Sequence, residues 1–275
     1  MSLYPTIEKT EAIVLRVSDF ANTSQMVSWL TPEGRRLVTS AKGALRPRSP
    51  FLGQYDLGYT CEVLYYAHGG AGAVHVLHEC TPLDPRASLR TRWRTALSAE
   101  YALDLLGQVA ATAPANPAFY ALLRAALDHL ARRGTSAAAL LAFETRLLAL
   151  LGLTPDLEGC PHCLDTALAL GARFSVPEGR VVCPACAGDA AASAEITLAH
   201  RLLAPLRLAF AADSLAPNVF ARLDAADLAH LRRFLGIFLH YHLDARLDGR
   251  AIAWDALGHD ARIGRTPFHR GLSDS

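Results

Sequence analysis

Cys160-Pro161-His162-Cys163 and, nineteen residues on, Cys183-Pro184-Ala185-Cys186 are two CxxC pairs that take up four of the chain's six cysteines. Two residues between thiols let a tight turn aim both sulfurs at one point, and two such turns complete a tetrahedral site. The spacing therefore predicts one structural Zn2+ per chain, held by Cys160, Cys163, Cys183 and Cys186. Four thiolates close the coordination shell and leave no open position for a reacting water. A redox pair would instead stand as a single CxxC at a strand end in a βαβ pattern, which the neighbouring sequence lacks. His162 lies inside a knuckle, where its ring would point away from the metal. Leu157-Glu158-Gly159 before the first pair and Gly179-Arg180-Val181-Val182 before the second suit knuckles joined by a short hairpin or irregular loop.

On both sides of this segment the apolar period is helical. Upstream, Arg86 to Ala111 repeats apolar residues about every four positions, at Leu89, Trp93, Leu97, Tyr101, Leu105 and Val109, and Ala118 to Arg133 and Ser136 to Leu151 follow as two more helices. Downstream, helices are expected near Ala194 to Ala212 and Asp224 to Leu247. The latter is apolar at Leu228, Leu231, Leu235 and Phe238, and again at Phe234, Ile237 and Tyr241, which predicts more than one buried side. Residues 159–187 thus read as a zinc module inserted into a helical domain made of 81–158 and 188–250. So short an insertion has too little apolar surface to order itself, and metal binding would supply its folding energy. Residues 251–275 read as a mostly mobile tail in which Trp254 and Leu257 have the means to dock.

Residues 1–80 read differently. Thr10 to Phe20, Ser24 to Thr31, Arg35 to Lys42, Tyr55 to Tyr66 and Ala73 to Cys80 are short extended stretches rich in β-branched and aromatic residues, with turns such as Pro32-Glu33-Gly34 between them. Five strands in eighty residues fit a small closed barrel, and five is the strand number of an OB-fold. The predicted class is α+β and multidomain: a five-stranded barrel, then a helical domain carrying the four-cysteine insertion.

The net charge of +1 argues nothing about nucleic acid, and Lys occurs only at positions 9 and 42. The distribution of charge is more informative. Arg35, Arg36, Lys42, Arg46 and Arg48 lie between Gly34 and Tyr55 with no Asp or Glu among them, and Arg86, Arg90, Arg92 and Arg94 fall within nine residues. The two clusters are candidates for one phosphate-facing surface, with Arg35, Arg36, Lys42, Arg46, Arg48, Arg92 and Arg94 as the DNA-binding candidates. Phe20, Phe51, Tyr55, Tyr65 and Tyr66 are near enough to stack bases, whereas Trp29 and Trp93 are expected in the core. Cys61 and Cys80 read as buried inert thiols, and His230, His240 and His242 as structural or surface residues.

No GxxxxGK[ST], GxSxG or HExxH occurs, the Gly69-Gly70-Ala71-Gly72 loop lacks a Lys and a following helix, and acidic residues do not cluster. The expectation is a binding protein and not an enzyme. No stretch is long and apolar enough to span a membrane, and the N-terminus has no basic region followed by an apolar one, so a cytoplasmic protein is expected.

The order of these features resembles the RecO family of bacterial recombination mediators. Glu11-Ala12-Ile13-Val14-Leu15-Arg16, Val27-Ser28-Trp29-Leu30-Thr31-Pro32-Glu33-Gly34-Arg35 and Ala41-Lys42-Gly43-Ala44-Leu45-Arg46 carry the likeness in the barrel. Phe143-Glu144-Thr145-Arg146-Leu147-Leu148 and Leu151-Gly152-Leu153-Thr154-Pro155-Asp156-Leu157 carry it into the first knuckle. The resemblance implies an N-terminal OB-fold and a helical domain with the zinc module. It also implies binding of single- and double-stranded DNA, annealing of complementary strands without ATP, and action with RecR to load RecA onto DNA coated by single-strand-binding protein. The acidic, apolar C-terminal tail of that protein is an implied partner, with a groove between helices as its expected seat, and the implied setting is nucleoid-associated. An adaptor whose barrel mainly docks RecR is the alternative. The chain departs from the family at the linker Phe20-Ala21-Asn22-Thr23-Ser24 and after Arg250.

Overall fold

The computed structural model describes residues 6–70, 72–166, 168–187, 195–243 and 245–258. Five strands come first: β1 (Thr6–Phe20), β2 (Ser24–Leu30), β3 (Arg36–Ala41), β4 (Thr60–Ala67) and β5 (His75–Asp84). They close into a barrel in the order β1-β2-β3-β5-β4, antiparallel except where β3 meets β5. Closure depends on the fifteen-residue β1, which pairs with β4 along its first half and with β2 along its second. The run Ala12-Ile13-Val14-Leu15 is buried throughout because it serves two cores. Ala12 and Val14 point into the barrel with Val27, Trp29 and Val63, while Ile13 and Leu15 join the helical core. Inside, the Trp29 Nε1 donates to Thr39 Oγ1 at 2.9 Å. The loop after β3 folds Phe51 and Tyr55 back onto this core, and the thiols of Cys61 and Cys80 both reach the Gln54 carbonyl at 3.6 Å. Both thiols are buried, as expected.

A 3-10 turn (Ala87–Arg90) leads into α1 (Trp93–Thr112), α2 (Pro117–Arg133) and α3 (Ala137–Leu150). Local chemistry sets their limits. Asn116 caps α2 by accepting from the Ala118 N–H, Pro117 supplies its first turn, and Ser136 caps α3 through the Ala139 N–H. After the cysteine segment come β6 (Ala172–Ser175), β7 (Arg180–Val182), α4 (Pro184–Ala187), β8 (Glu195–Leu198), α5 (His200–Ala211), α6 (Ala225–His242) and α7 (Asp248–Gly258). The order in the second sheet is β7-β6-β8.

Several expectations need correction. The helix expected from Ala194 starts only at His200, because Glu195–Leu198 pairs with β6 as a strand. The helix expected to run to Leu247 ends at His242, and its second apolar side is half open, with Ile237 37% and Tyr241 55% exposed. The segment read as a tail opens with α7, in which Trp254 is buried; residues 259–275 lie outside the described residues. Finally, the cysteine insertion has more apolar surface than its length suggests. Phe174 of β6 is fully buried, edge-on to Phe234 at 5.0 Å and to Phe238 at 5.6 Å, and Leu168, Val176 and Val181 join the same core.

Barrel and helices are locked together at three points. Arg86 is buried and joins Asp128 of α2 at 2.9 Å to the Gly58 carbonyl at 2.8 Å and Thr60 Oγ1 at 2.9 Å. Tyr120 of α2 donates its hydroxyl to Glu11 of β1. At the turn between β2 and β3, Gly34 (φ +73°) lies so close to the α1–α2 connection that an added Cβ would fall 1.8 Å from the Asn116 carbonyl oxygen.

Candidate metal centre and nucleic-acid interface

The two knuckles converge as their spacing predicts. The sulfurs of Cys160, Cys163, Cys183 and Cys186 all lie within 4.8 Å of one another, and those of Cys163 and Cys183 are 3.6 Å apart. Tetrahedral Zn–S bonds of about 2.3 Å require sulfurs roughly 3.8 Å apart, so the donor set fits that ion. Cys160 and Cys183 are buried, Cys163 and Cys186 exposed. Each knuckle turns on its own backbone: the Leu164 N–H donates to the Cys160 carbonyl at 2.9 Å, and the Cys186 N–H points at the Cys183 sulfur at 3.4 Å. Leu164, just past the first pair, takes a left-handed φ of 60° that completes the turn. Burial pushes the Cys160 thiol up, but backbone N–H groups of Cys183, Cys163 and His162 outweigh it and bring it down to about 6. Hydrogen bonding to Cys183 and Cys163 pushes Cys186 up to about 12. Metal binding at such a site would require the thiols to lose their protons, so zinc affinity would rise with pH.

The basic candidates fall into separate groups. Lys42, Arg46 and Arg48 are exposed on the loop after β3. That loop is tied to the tip of the β1–β2 hairpin by the Leu45 N–H donating to the Thr23 carbonyl at 3.0 Å. Phe20, 56% exposed, sits on the same hairpin end. Of the other aromatic candidates Phe51, Tyr55 and Tyr65 are buried, and Tyr66 packs its half-buried ring on His78 at 5.0 Å. Arg35 and Arg36 are exposed at the start of β3, where they line a polar cleft of about 450 Å³ with Lys9, Glu8, Glu33, Tyr65 and His75.

Arg92 and Arg94 are elsewhere. They stand at the start of α1, whereas Arg35 follows the turn that meets Asn116 beyond the far end of α1. Twenty helical residues put about 30 Å between those ends, so Arg92 and Arg94 do not share a surface with Arg35. Arg86 and Arg90 are structural: Arg86 is the buried tie already described, and Arg90 binds Asp56 and the Leu57 carbonyl and covers the Tyr59 ring at 4.5 Å. Trp93, expected in the core, is 55% exposed, although Thr95 two residues on in the same turn is buried.

A buried site that sequence reasoning missed lies between α3 and α7. Glu144, fully buried, accepts from Tyr101 Oη at 2.9 Å, Arg250 Nε at 2.8 Å, Arg250 Nη2 at 2.9 Å and Trp254 Nε1 at 3.2 Å. Burial opposes the Arg250 charge, but the Glu144 carboxylate outweighs it and raises the guanidinium above its usual value. The available signal was a Glu in an otherwise apolar helix. With its carboxylate taken up by Tyr101, Arg250 and Trp254, Glu144 acts as a structural clasp among the described residues.

Barrel, helical body and four-thiol cluster together define an α+β chain with two architectures joined at a fixed interface and a candidate metal centre at the edge of the second. Residues 90–251 match the family profile described as Recombination protein O C terminal. Relatives named DNA repair protein RecO are 32% identical in Roseiflexus sp. (strain RS-1), over 66% of this chain and 63% of the relative, and 30% identical in Moorella thermoacetica, over 67% and 68%. The chain therefore belongs to the RecO family of DNA repair proteins. The match spans somewhat under two thirds of the Roseiflexus relative's length. No helix among the described residues is long and apolar enough to cross a membrane.

Proposed function

We propose that this chain is a non-catalytic DNA-binding mediator of recombinational repair, which binds single- and double-stranded DNA and pairs complementary strands without ATP. The observation that carries the reading is the exposed group Lys42, Arg46 and Arg48, set beside exposed Phe20 on a five-stranded barrel whose core is complete without them. The strand order and the single parallel contact between β3 and β5 support an OB-fold. Bases would stack on Phe20, and the cations would neutralise phosphates of strands that otherwise repel one another. Arg35 and Arg36 would extend the track along β3.

Zinc held by Cys160, Cys163, Cys183 and Cys186 would supply only structural cross-linking of the two knuckles. RecR, RecA loading and the tail of single-strand-binding protein belong to the same proposal. For that tail, the helical body offers a small pocket of about 110 Å³ lined by Ala118, Leu122, Arg146 and Leu215, with Asp213 and Ser214 also on its wall.

The test replaces Lys42, Arg46 and Arg48 together by Ala. The expected result is a loss of DNA affinity of at least tenfold with unchanged thermal stability, and unchanged affinity would overturn the assignment. The adaptor reading draws support from Ile7, Val74 and Leu83, each about half exposed on the barrel. RecR cross-linking that is lost on mutating these residues, with DNA binding intact, would favour it.

A further inference from the structure

The fold gathers basic residues that the sequence keeps apart. Arg92 and Arg94 open α1, and Arg132 and Arg133 lie exposed in the last turn of α2. The two ends meet: Arg92 Nη1 lies 3.2 Å from where a Cβ on Gly134 would stand, and Gly134 ends α2. Acidic neighbours are already engaged, Asp56 with Arg90 and Asp128 with Arg86. Arg92, Arg132 and Arg133 form no ion pair among the described residues. Beside them Trp93 keeps 55% of its surface in solvent, with the Arg94 guanidinium over its ring at 5.1 Å. A large aromatic ring more than half exposed, backed by one cation, at a helix junction that carries three others, suits a ligand that combines a π-face with negative charge.

We propose that Trp93, with Arg92, Arg132 and Arg133, forms a second single-strand contact, in which a nucleobase stacks on the indole and the guanidiniums hold the flanking phosphates. The inference rests on the DNA-binding reading and deepens it, since pairing two strands calls for two contacts and α1 separates this one from Arg35 and Arg36 by about 30 Å. Trp93 belongs to no predicted site, and Arg132 and Arg133 lie far from it in sequence.

The chain's own fluorescence provides the test. Of the three tryptophans Trp29 and Trp254 are buried, so stacking by added DNA reports on Trp93. Oligo(dT) added to the full chain is expected to quench emission, and the quench should disappear in Trp93→Phe. Trp93→Ala should weaken oligo(dT) binding about tenfold. Arg132→Ala with Arg133→Ala should lower the salt slope of log K by about 1.4, roughly 0.7 for each phosphate contact. The Lys42, Arg46 and Arg48 triple variant should bind more weakly yet still quench on saturation. Absence of quench, with unchanged affinity in Trp93→Ala while the barrel triple loses binding, would overturn this site and leave the DNA-binding reading standing. Unchanged binding in both variants would overturn both. If Trp93→Ala spares DNA binding but abolishes binding of RecR, the surface docks protein and the proposal is wrong. Trp93 is exposed, so urea unfolding of its variants should match the parent chain.

Discussion

Glu144 accepts hydrogen bonds from three side chains at once, and only the Arg250 guanidinium balances its charge. Glu144→Gln keeps the shape but strands a cation that is 8% exposed. Breaking a buried pair in this way costs about 3 to 5 kcal/mol, so urea unfolding should show a loss near 3 kcal/mol and release of α7. A loss under 1 kcal/mol would mean that water already reaches Arg250. At the metal centre, Cys183→Ser should lower zinc from about one per chain to below half, with DNA binding affected only secondarily; a variant that kept a full equivalent would contradict four-thiolate ligation. His129 reports on the arginine cluster. Burial, then Arg132 and Arg133, hold its imidazole below the ordinary value. The stability it contributes is therefore present above its unfolded pKa of about 6.5 and is lost as pH falls below that. Replacing both arginines by Ala should raise the His129 pKa measured by NMR, while burial keeps it below the free value.

At the scale of elements, what could be read from the sequence divides by how local the signal is. The CxxC pairs, the helices beginning near Ala118 and Ser136 and the extended stretches of the barrel depend on neighbours in sequence, and each is found close to where it is expected. The β8 strand was read as helix because four residues carry too little pattern to outweigh the helical period after His200. The part of α7 from Ala251 onward falls in the expected tail because the helix's docking depends on Glu144, more than a hundred residues away. Trp93 fits the apolar stripe by its spacing, and spacing alone does not reveal that the packed side at the start of α1 is the one carrying Thr95 and Ser98. Likewise the insertion looked dependent on metal, yet its middle strand seats Phe174 between two rings of α6. Phe174→Ala should therefore cost about 3 to 5 kcal/mol of whole-domain stability, and a loss confined to zinc affinity would show the module to be independent. Gly34→Ala should cost roughly 2 kcal/mol or more, because a Cβ there meets both a left-handed φ and the Asn116 backbone.

In the whole molecule, barrel and helical body share one core through Ile13, Leu15 and Leu30 and are fixed by Arg86 and by Tyr120 on Glu11. The exposed basic groups therefore keep their spacing: one beside the β1–β2 hairpin, one at the start of β3, one where α1 and α2 meet. On the proposed reading, DNA would be held by phosphate neutralisation on a rigid frame, and its affinity would depend on salt. The most direct measurement is the dependence of oligo(dT) affinity on salt for the parent chain and for the Lys42→Ala, Arg46→Ala, Arg48→Ala variant. The account predicts a steep parent slope that falls by about two units of log K per tenfold salt in the variant, roughly 0.7 for each lost contact. An identical slope in the two proteins would contradict it.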